Sequence, residues 1–206
     1  MVNTAKKNET YTYQQYQQTT ADERLEIING TVYDMSPSPT VKHQRVVLGF
    51  GNAMYSFFKG QECTPFIAPM DVVLDDINVV EPDVFVVCDT SKITEANIKG
   101  APDLVIEVLS PSTSLKDRRE KKWLYERHRV KEYIIVSPMD ETAERFFLGA
   151  DGKFGVPDLF GWYESFASKL FPALLFDLRV IFEKEDVIAE PPMPAWLAER
   201  LGRKNV

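Results

Sequence analysis

No apolar run in this 206-residue chain reaches the length of a membrane span, and Met1-Val2-Asn3-Thr4-Ala5-Lys6-Lys7 lacks the apolar core of a signal peptide. The expected location is therefore the cytoplasm, with no membrane partner. Cysteine is scarce: Cys63 and Cys88 are the whole supply, which excludes a disulfide-rich secreted scaffold. The two stand far apart in sequence among apolar residues and are expected to be reduced and buried, a disulfide or metal pair being the alternative. Without secretion, the sequons Asn8-Glu9-Thr10 and Asn29-Gly30-Thr31 carry no meaning. Positive charge is also short. Against 31 Asp and Glu there are 24 Lys and Arg, for a net charge of −7 and a pI near 5.0. That excludes a generic basic nucleic-acid binder. It leaves room for an enzyme acting on nucleic acid, because metal-binding carboxylates themselves add negative charge. The densest basic stretch is Lys116, Arg118, Arg119, Lys121, Lys122, Arg127 and Arg129, read most plainly as a solvated helix face. There is no internal repeat and no long low-complexity linker, so the length suits one domain with extensions.

What the chain does have is a core. Hydrophobic residues make up 44% of it, with thirteen Phe. Residues 1–10 are polar and read as a disordered N-terminus, 11–185 as the domain, and 186–206 as a proline-bearing tail whose 195–201 piece reads as a short helix. Within the domain, 12–19 reads as a short helix. Residues 25–28 and 31–35 form a hairpin about Asn29-Gly30, a strong two-residue turn signal. Val46, Val47, Phe50, Met54, Phe57 and Phe58 recur at helical spacing over 41–59. Strands are expected at 64–68, 71–74, 84–88 and 104–109, rich in Val, Ile and Phe. A helix capped by Ser112 or Ser114 then runs to about His128. Strands follow at 132–137 and 142–148, then a final hairpin after Asp151-Gly152, and 171–182 closes the domain. The strand, helix, strand order over 104–137 predicts a βαβ unit inside a mixed sheet.

Glu107 is the anomaly in this pattern. It lies mid-way along Asp103-Leu104-Val105-Ile106-Glu107-Val108-Leu109-Ser110, the most apolar strand of the chain. An unpaired ionised carboxylate in a core costs on the order of several kcal/mol, so it calls for a cation or a proton. Asp83 opens the neighbouring candidate strand. Two such strands side by side bring both carboxylates within reach of one ion, and oxygen ligands of this kind suit magnesium or manganese. Such an ion polarises a phosphoryl oxygen and lowers the pKa of water, as phosphodiester hydrolysis requires. A cation near the phosphate would complete the set. Asp117, Lys121 and Tyr125 stand at i, i+4 and i+8 and share a helix face. Lys121 reaches the site if that face looks back at the strand end; otherwise Asp117 and Lys121 are an exposed helix pair. His43 begins the long helix and is read either as a phosphate contact or proton carrier, or as a structural helix-start residue. Asp71 opens a strand and is a possible border of the site. His128 suits a helix C-terminus. Ser110 and Ser112 lack a nucleophile elbow and read as turn and cap residues.

Several segments in one order carry a family resemblance. They are Arg24-Leu25-Glu26-Ile27-Ile28-Asn29-Gly30, Met35-Ser36-Pro37-Ser38-Pro39 with His43, Glu81-Pro82-Asp83-Val84, and Pro102-Asp103 through Ser112-Thr113. Asp117-Arg118-Arg119-Glu120-Lys121 with Tyr125, and Glu132-Tyr133-Ile134-Ile135-Val136, complete the series. Over residues 12–182 the chain resembles the Uma-two family of restriction-type endonucleases with the PD-(D/E)xK fold, abundant in cyanobacteria. The resemblance implies an α+β protein with an α/β core: a restriction-endonuclease-like mixed central sheet flanked by helices, with an N-terminal helix and hairpin extension. It implies a magnesium- or manganese-dependent nuclease site with Asp83 and Glu107 as metal ligands. Glu26 matches a family carboxylate that would hold metal-bound water, or is simply an edge charge in the first hairpin. The superfamily lysine stands two residues after the glutamate, where this chain has Leu109. The family supplies its lysine from the following helix, which falls on Lys121.

The function expected is metal-dependent hydrolysis of DNA, in a homodimer because cutting a duplex needs two sites. The alternatives are a catalytically inactive binding or scaffold protein that retains the fold, and a hydrolase of another phosphoester.

Overall fold

The computed structural model describes residues 10–19, 24–35, 38–111 and 113–184. The expected disordered N-terminus (apart from Thr10), the tail with its helix at 195–201, and Ser112 as a helix cap lie outside the described residues. Among the described residues no helix is long and apolar enough to cross a membrane.

The chain opens with α1 (Tyr13–Tyr16), closed by a capping box between Thr12 and Gln15. Strands β1 (Leu25–Ile28) and β2 (Thr31–Asp34) form the expected hairpin. Asn29 and Gly30 both take positive φ, 50° and 70°, the conformation a two-residue turn of this hand needs. Helix α2 (Val41–Phe58) is capped by Thr40, whose side chain accepts from the His43 N–H. It buries Val46, Val47, Phe50, Met54 and Phe58, one helical face.

Strands β3 (Thr64–Ile67), β4 (Val72–Asp75), β5 (Asn78–Val80), β6 (Val84–Val87), β7 (Ile98–Lys99) and β8 (Leu104–Val108) follow, with a 3-10 turn at Thr90–Lys92. Three pieces then make one irregular helix over 114–127: α3 (Ser114–Lys116), a π-helical stretch (Asp117–Lys121) and α4 (Lys122–Arg127). Thr113 occupies the cap position, and Ser114 is the first helical residue. Strands β9 (Glu132–Ser137), β10 (Thr142–Phe147), β11 (Asp158–Gly161), β12 (Ser165–Ala167) and β13 (Leu175–Asp177) lead to α5 (Leu178–Ile181).

These strands form a six-stranded sheet in the order β11-β10-β9-β8-β6-β3, a five-stranded sheet in the order β2-β1-β5-β4-β7, and the hairpin β12-β13. Strands β8 and β9 are parallel and joined by the 114–127 helix, as the βαβ reading requires. The N-terminal hairpin is more than an extension: with the short strands β5, β4 and β7 it builds the second sheet.

Residues alternate across the six-stranded sheet and split the core. Val84, Val86, Leu104, Ile106 and Val108 pack on Phe50 and Met54 of α2. Phe85, Val87, Val105 and Leu109 face the other way, toward Leu124 and Tyr125 of α4 and Ile28, Val72 and Val80 of the second sheet. The 114–127 helix is thus sandwiched with the functional candidates between the two sheets.

The cysteines are not reduced. Cys63 and Cys88 form a disulfide. Strands β3 and β6 are antiparallel with Thr64 opposite Val87, so one further step of register sets Cys63 opposite Cys88. Distance along the chain was no guide, because the sheet folds these positions together.

Candidate active site

Glu107 is the fourth residue of β8 and is buried with the rest of that strand. Strands β6 and β8 are antiparallel with Val84 opposite Ile106. One further step of register sets Asp83 opposite Glu107, and directly opposed residues hold their Cβ atoms about 4.5–5.5 Å apart on one face. Asp83 is fixed there by its Oδ2, which accepts from the Val108 N–H at 2.8 Å. The same oxygen lies 3.4 Å from His43 Nε2, delivered by the first turn of α2.

Lys121 does look back at the strand. Its Nζ lies 2.8 Å from Glu107 Oε1 and 2.7 Å from Glu26 Oε1. The Tyr125 hydroxyl donates to Glu107 Oε1 at 2.6 Å. Asp117, Lys121 and Tyr125 therefore share the face their spacing predicts, and all three are buried rather than exposed. Leu109, at the usual lysine position, packs in the apolar cluster between the sheets. The amine reaches Glu107 from the helix instead.

Glu26 enters from β1 of the second sheet and is fully buried. Its Oε2 pairs with Lys116 Nζ at 2.5 Å, its Oε1 with Lys121, and the Glu81 N–H also donates to Oε1 at 3.2 Å. Lys116 is a member of the cluster that spacing did not single out, because it lies off the face shared by Asp117, Lys121 and Tyr125. Asp71 does not join: its carboxylate accepts from the Tyr16 hydroxyl at 2.8 Å. The basic stretch is not one solvated face either. Lys116 and Lys121 turn inward, Arg118 pairs with Glu144, and Lys122 and Arg127 lie over the rings of Phe146 and Trp123.

The electrostatics of the cluster are uneven. Burial pushes the Glu107 carboxyl up to about 8; Lys121 opposes the shift, while Asp117, Asp83 and Glu26 reinforce it. Burial raises Asp117 to about 6 against the pull of Lys121. Burial acts on Glu26 as well, yet the attraction of Lys121 and Lys116 outweighs it and holds that carboxyl at about 2. Burial also disfavours the Lys121 ammonium, but Glu107, Glu26 and Asp117 more than compensate and keep it protonated. For His43 the loss of solvent is outweighed by Asp83, and its pKa is raised.

Four carboxylates, Glu26, Asp83, Glu107 and Asp117, thus face two lysines, Lys116 and Lys121. Fully ionised, they leave an excess of two negative charges, or one if His43 carries a proton. Among the described residues no three His, Cys, Asp or Glu side chains converge enough to hold a metal ion. Magnesium or manganese asks for less: one or two carboxylates, with water and substrate phosphate completing the shell. Asp83 and Glu107 supply that donor set, so these residues fit such an ion.

Comparison with known proteins places the fold first. A crystal structure from Anabaena variabilis, described as a putative nuclease belonging to DUF820, matches with a TM-score of 0.69 over 84% of this chain and 97% of that one. The sequences are 17% identical, so the likeness shows a shared fold. Uncharacterized protein slr1290 of Synechocystis sp. is 28% identical over 134 residues, which is 63% of this chain and 69% of that protein. The Uma2 family model, described as "Putative restriction endonuclease", matches residues 10–171. The chain belongs to the Uma2 family.

Proposed function

We propose that the protein is a divalent-metal-dependent endonuclease that hydrolyses DNA phosphodiester bonds. One observation carries this: a cross-strand carboxylate pair, Asp83 and Glu107, with a buried lysine amine 2.8 Å from Glu107. Asp83 and Glu107 are the residues that would hold magnesium or manganese. Bound there, the ion would polarise a phosphoryl oxygen and activate water.

The chain's own groups supply the rest. Lys121 keeps a fixed positive charge beside Glu107, where charge builds up on a phosphate in the transition state. Glu26 has its two oxygens on Lys116 and Lys121, so it positions those amines. Tyr125 holds the Glu107 carboxylate in one rotamer. His43, beside Asp83, is placed to contact phosphate or carry a proton. Asp83 is the more open ligand, with 18% of its side chain exposed against 4% for Glu107. Substrate therefore approaches from the Asp83 side. A two-fold dimer would present one such site to each strand of a duplex.

The test is manganese-supported cleavage of plasmid DNA. Asp83→Ala and Glu107→Ala are expected to abolish it while the proteins stay folded. Equal cleavage by wild type and Asp83→Ala would sink the assignment. The near-complete burial of Glu107 and Lys121 favours one second reading, a binding protein that retains the fold without activity. Absence of magnesium or manganese binding in a calorimetric titration would select it.

A further inference from the structure

Asp117 has no part in the mechanism above, yet it is built into the same cluster. It opens the π-helical stretch, a local widening often found at functional sites. Its backbone is pinned from two directions. The Lys122 N–H donates to its carbonyl, and so does the Tyr133 hydroxyl, at 3.0 Å. With the backbone fixed, its side chain, 3% exposed, is directed toward Lys121. The Thr113 hydroxyl donates to the carboxylate. Oδ1 is nevertheless buried without a hydrogen-bond partner among the described residues.

Lys121 does not donate to that oxygen. Its Nζ stands 3.8 Å from Asp117 Oδ1, beyond hydrogen-bonding distance, and already serves Glu107 and Glu26. A buried carboxylate oxygen without a donor is costly, and protein interiors rarely tolerate one unless something else supplies the donor. A partner that donates a hydrogen bond and also brings positive charge would offset this cost most fully. A hydrated divalent cation has both properties.

We propose that Asp117 is a positioning residue whose Oδ1 accepts a hydrogen bond from a water of hydration of the cation held by Asp83 and Glu107. The inference rests on the metal-dependent function proposed above. Contact through water, rather than direct ligation, follows from the lack of a third converging ligand among the described residues. It also follows from the reluctance of magnesium to lose its waters. Outer-sphere carboxylates of this kind orient the shell of an ion, and their loss weakens metal affinity about 10–100-fold.

The experiment is calorimetric titration of manganese into wild type, Asp117→Asn, Asp117→Glu and Asp83→Asn, with thermal melts in chelator and in manganese. Asp117→Asn keeps the shape of the side chain and removes its charge. It is expected to weaken manganese binding at least tenfold at unchanged stoichiometry, and to shrink the manganese-induced rise in Tm. Its Tm in chelator is expected to equal or exceed that of wild type, because a buried charge has gone. Asp117→Glu keeps the charge and displaces the oxygen, and is also expected to bind manganese more weakly than wild type. Wild-type affinity in either folded variant would overturn the positioning role, as would a lower chelator Tm with an unchanged manganese increment. No manganese binding by wild type would instead overturn the metal-dependent function itself. Binding lost only in Asp83→Asn would leave that function standing and remove Asp117 from it.

Discussion

The two faces of the six-stranded sheet are made by alternate residues of the same strands and do different work. Toward α2, Val84, Val86, Leu104, Ile106 and Val108 meet Phe50 and Met54, and the contact is apolar beyond the helix's first turn, where His43 reaches Asp83. On the opposite face, Phe85, Val105 and Leu109 begin the same way, but Asp83 and Glu107 interrupt them. The 114–127 helix then covers that interruption with Lys121, Tyr125 and Asp117. One face is nearly pure burial. The other spends part of that burial on a charge cluster with more carboxylates than lysines. The difference separates stability from chemistry: residues on the α2 face should be felt in melting temperature, and residues on the helix face in metal binding and cleavage.

The largest break in this comparison comes from Lys121→Ala. It leaves Glu107, Glu26 and Asp117 without their shared cation. Removing one partner of a buried ion pair costs about 3–5 kcal/mol. Both melting temperature and cleavage should fall, and the stability loss should shrink at low pH as carboxylates take up protons. Met54→Ala sharpens the other side. Met54 is fully buried on the α2 face, and such truncations cost about 2–5 kcal/mol. Urea unfolding should show that loss, while manganese affinity measured below the new Tm stays at the wild-type value. A coupled loss of metal affinity would show that the faces are not independent.

A smaller effect is expected with pH in metal-free protein. Glu107 has its pKa raised from 4.5 to about 8, first by burial. The folded state therefore keeps a proton that the unfolded chain releases, and stability is fully present below about pH 4.5. It declines as pH rises from there through 8. Glu26 has the opposite sign: held at about 2, it contributes stability above pH 4.5 that is lost as pH falls toward 2. Melts in chelator between pH 5 and 8 should show Tm falling in wild type and falling less in Glu107→Gln. Parallel curves for the two proteins would contradict the assignment.

The fold was legible wherever a period was long enough to see. The apolar spacing of α2, the Asn29-Gly30 turn and the β8-helix-β9 order all appear in the structure. Strands β5 and β7 were not anticipated, because three and two residues carry no period. The Cys63–Cys88 disulfide depends on the register between β3 and β6, a non-local property that spacing along the chain does not encode. In the candidate site, Glu107 declared itself as a charge in an apolar strand. Lys121 and Tyr125 followed from one helical face, and the structure brings both to Glu107. Glu26 was visible through family resemblance, but its grip on Lys116 and Lys121 needs a second sheet that local sequence does not announce. Asp71 opens a strand as Asp83 does, and the sequence marks it only as a possible border of the site. The difference is who meets it: Tyr16 from α1 takes Asp71, whereas the Val108 N–H and His43 hold Asp83 beside Glu107.

The central claim is that Asp83 and Glu107 share one divalent ion. A crystal structure with manganese, using its anomalous signal, tests it most directly. One peak is expected between the two carboxylates, at about 2.0–2.2 Å from an oxygen of each. No peak there at millimolar manganese in wild-type crystals, or a peak that persists in Asp83→Asn crystals, would contradict the account.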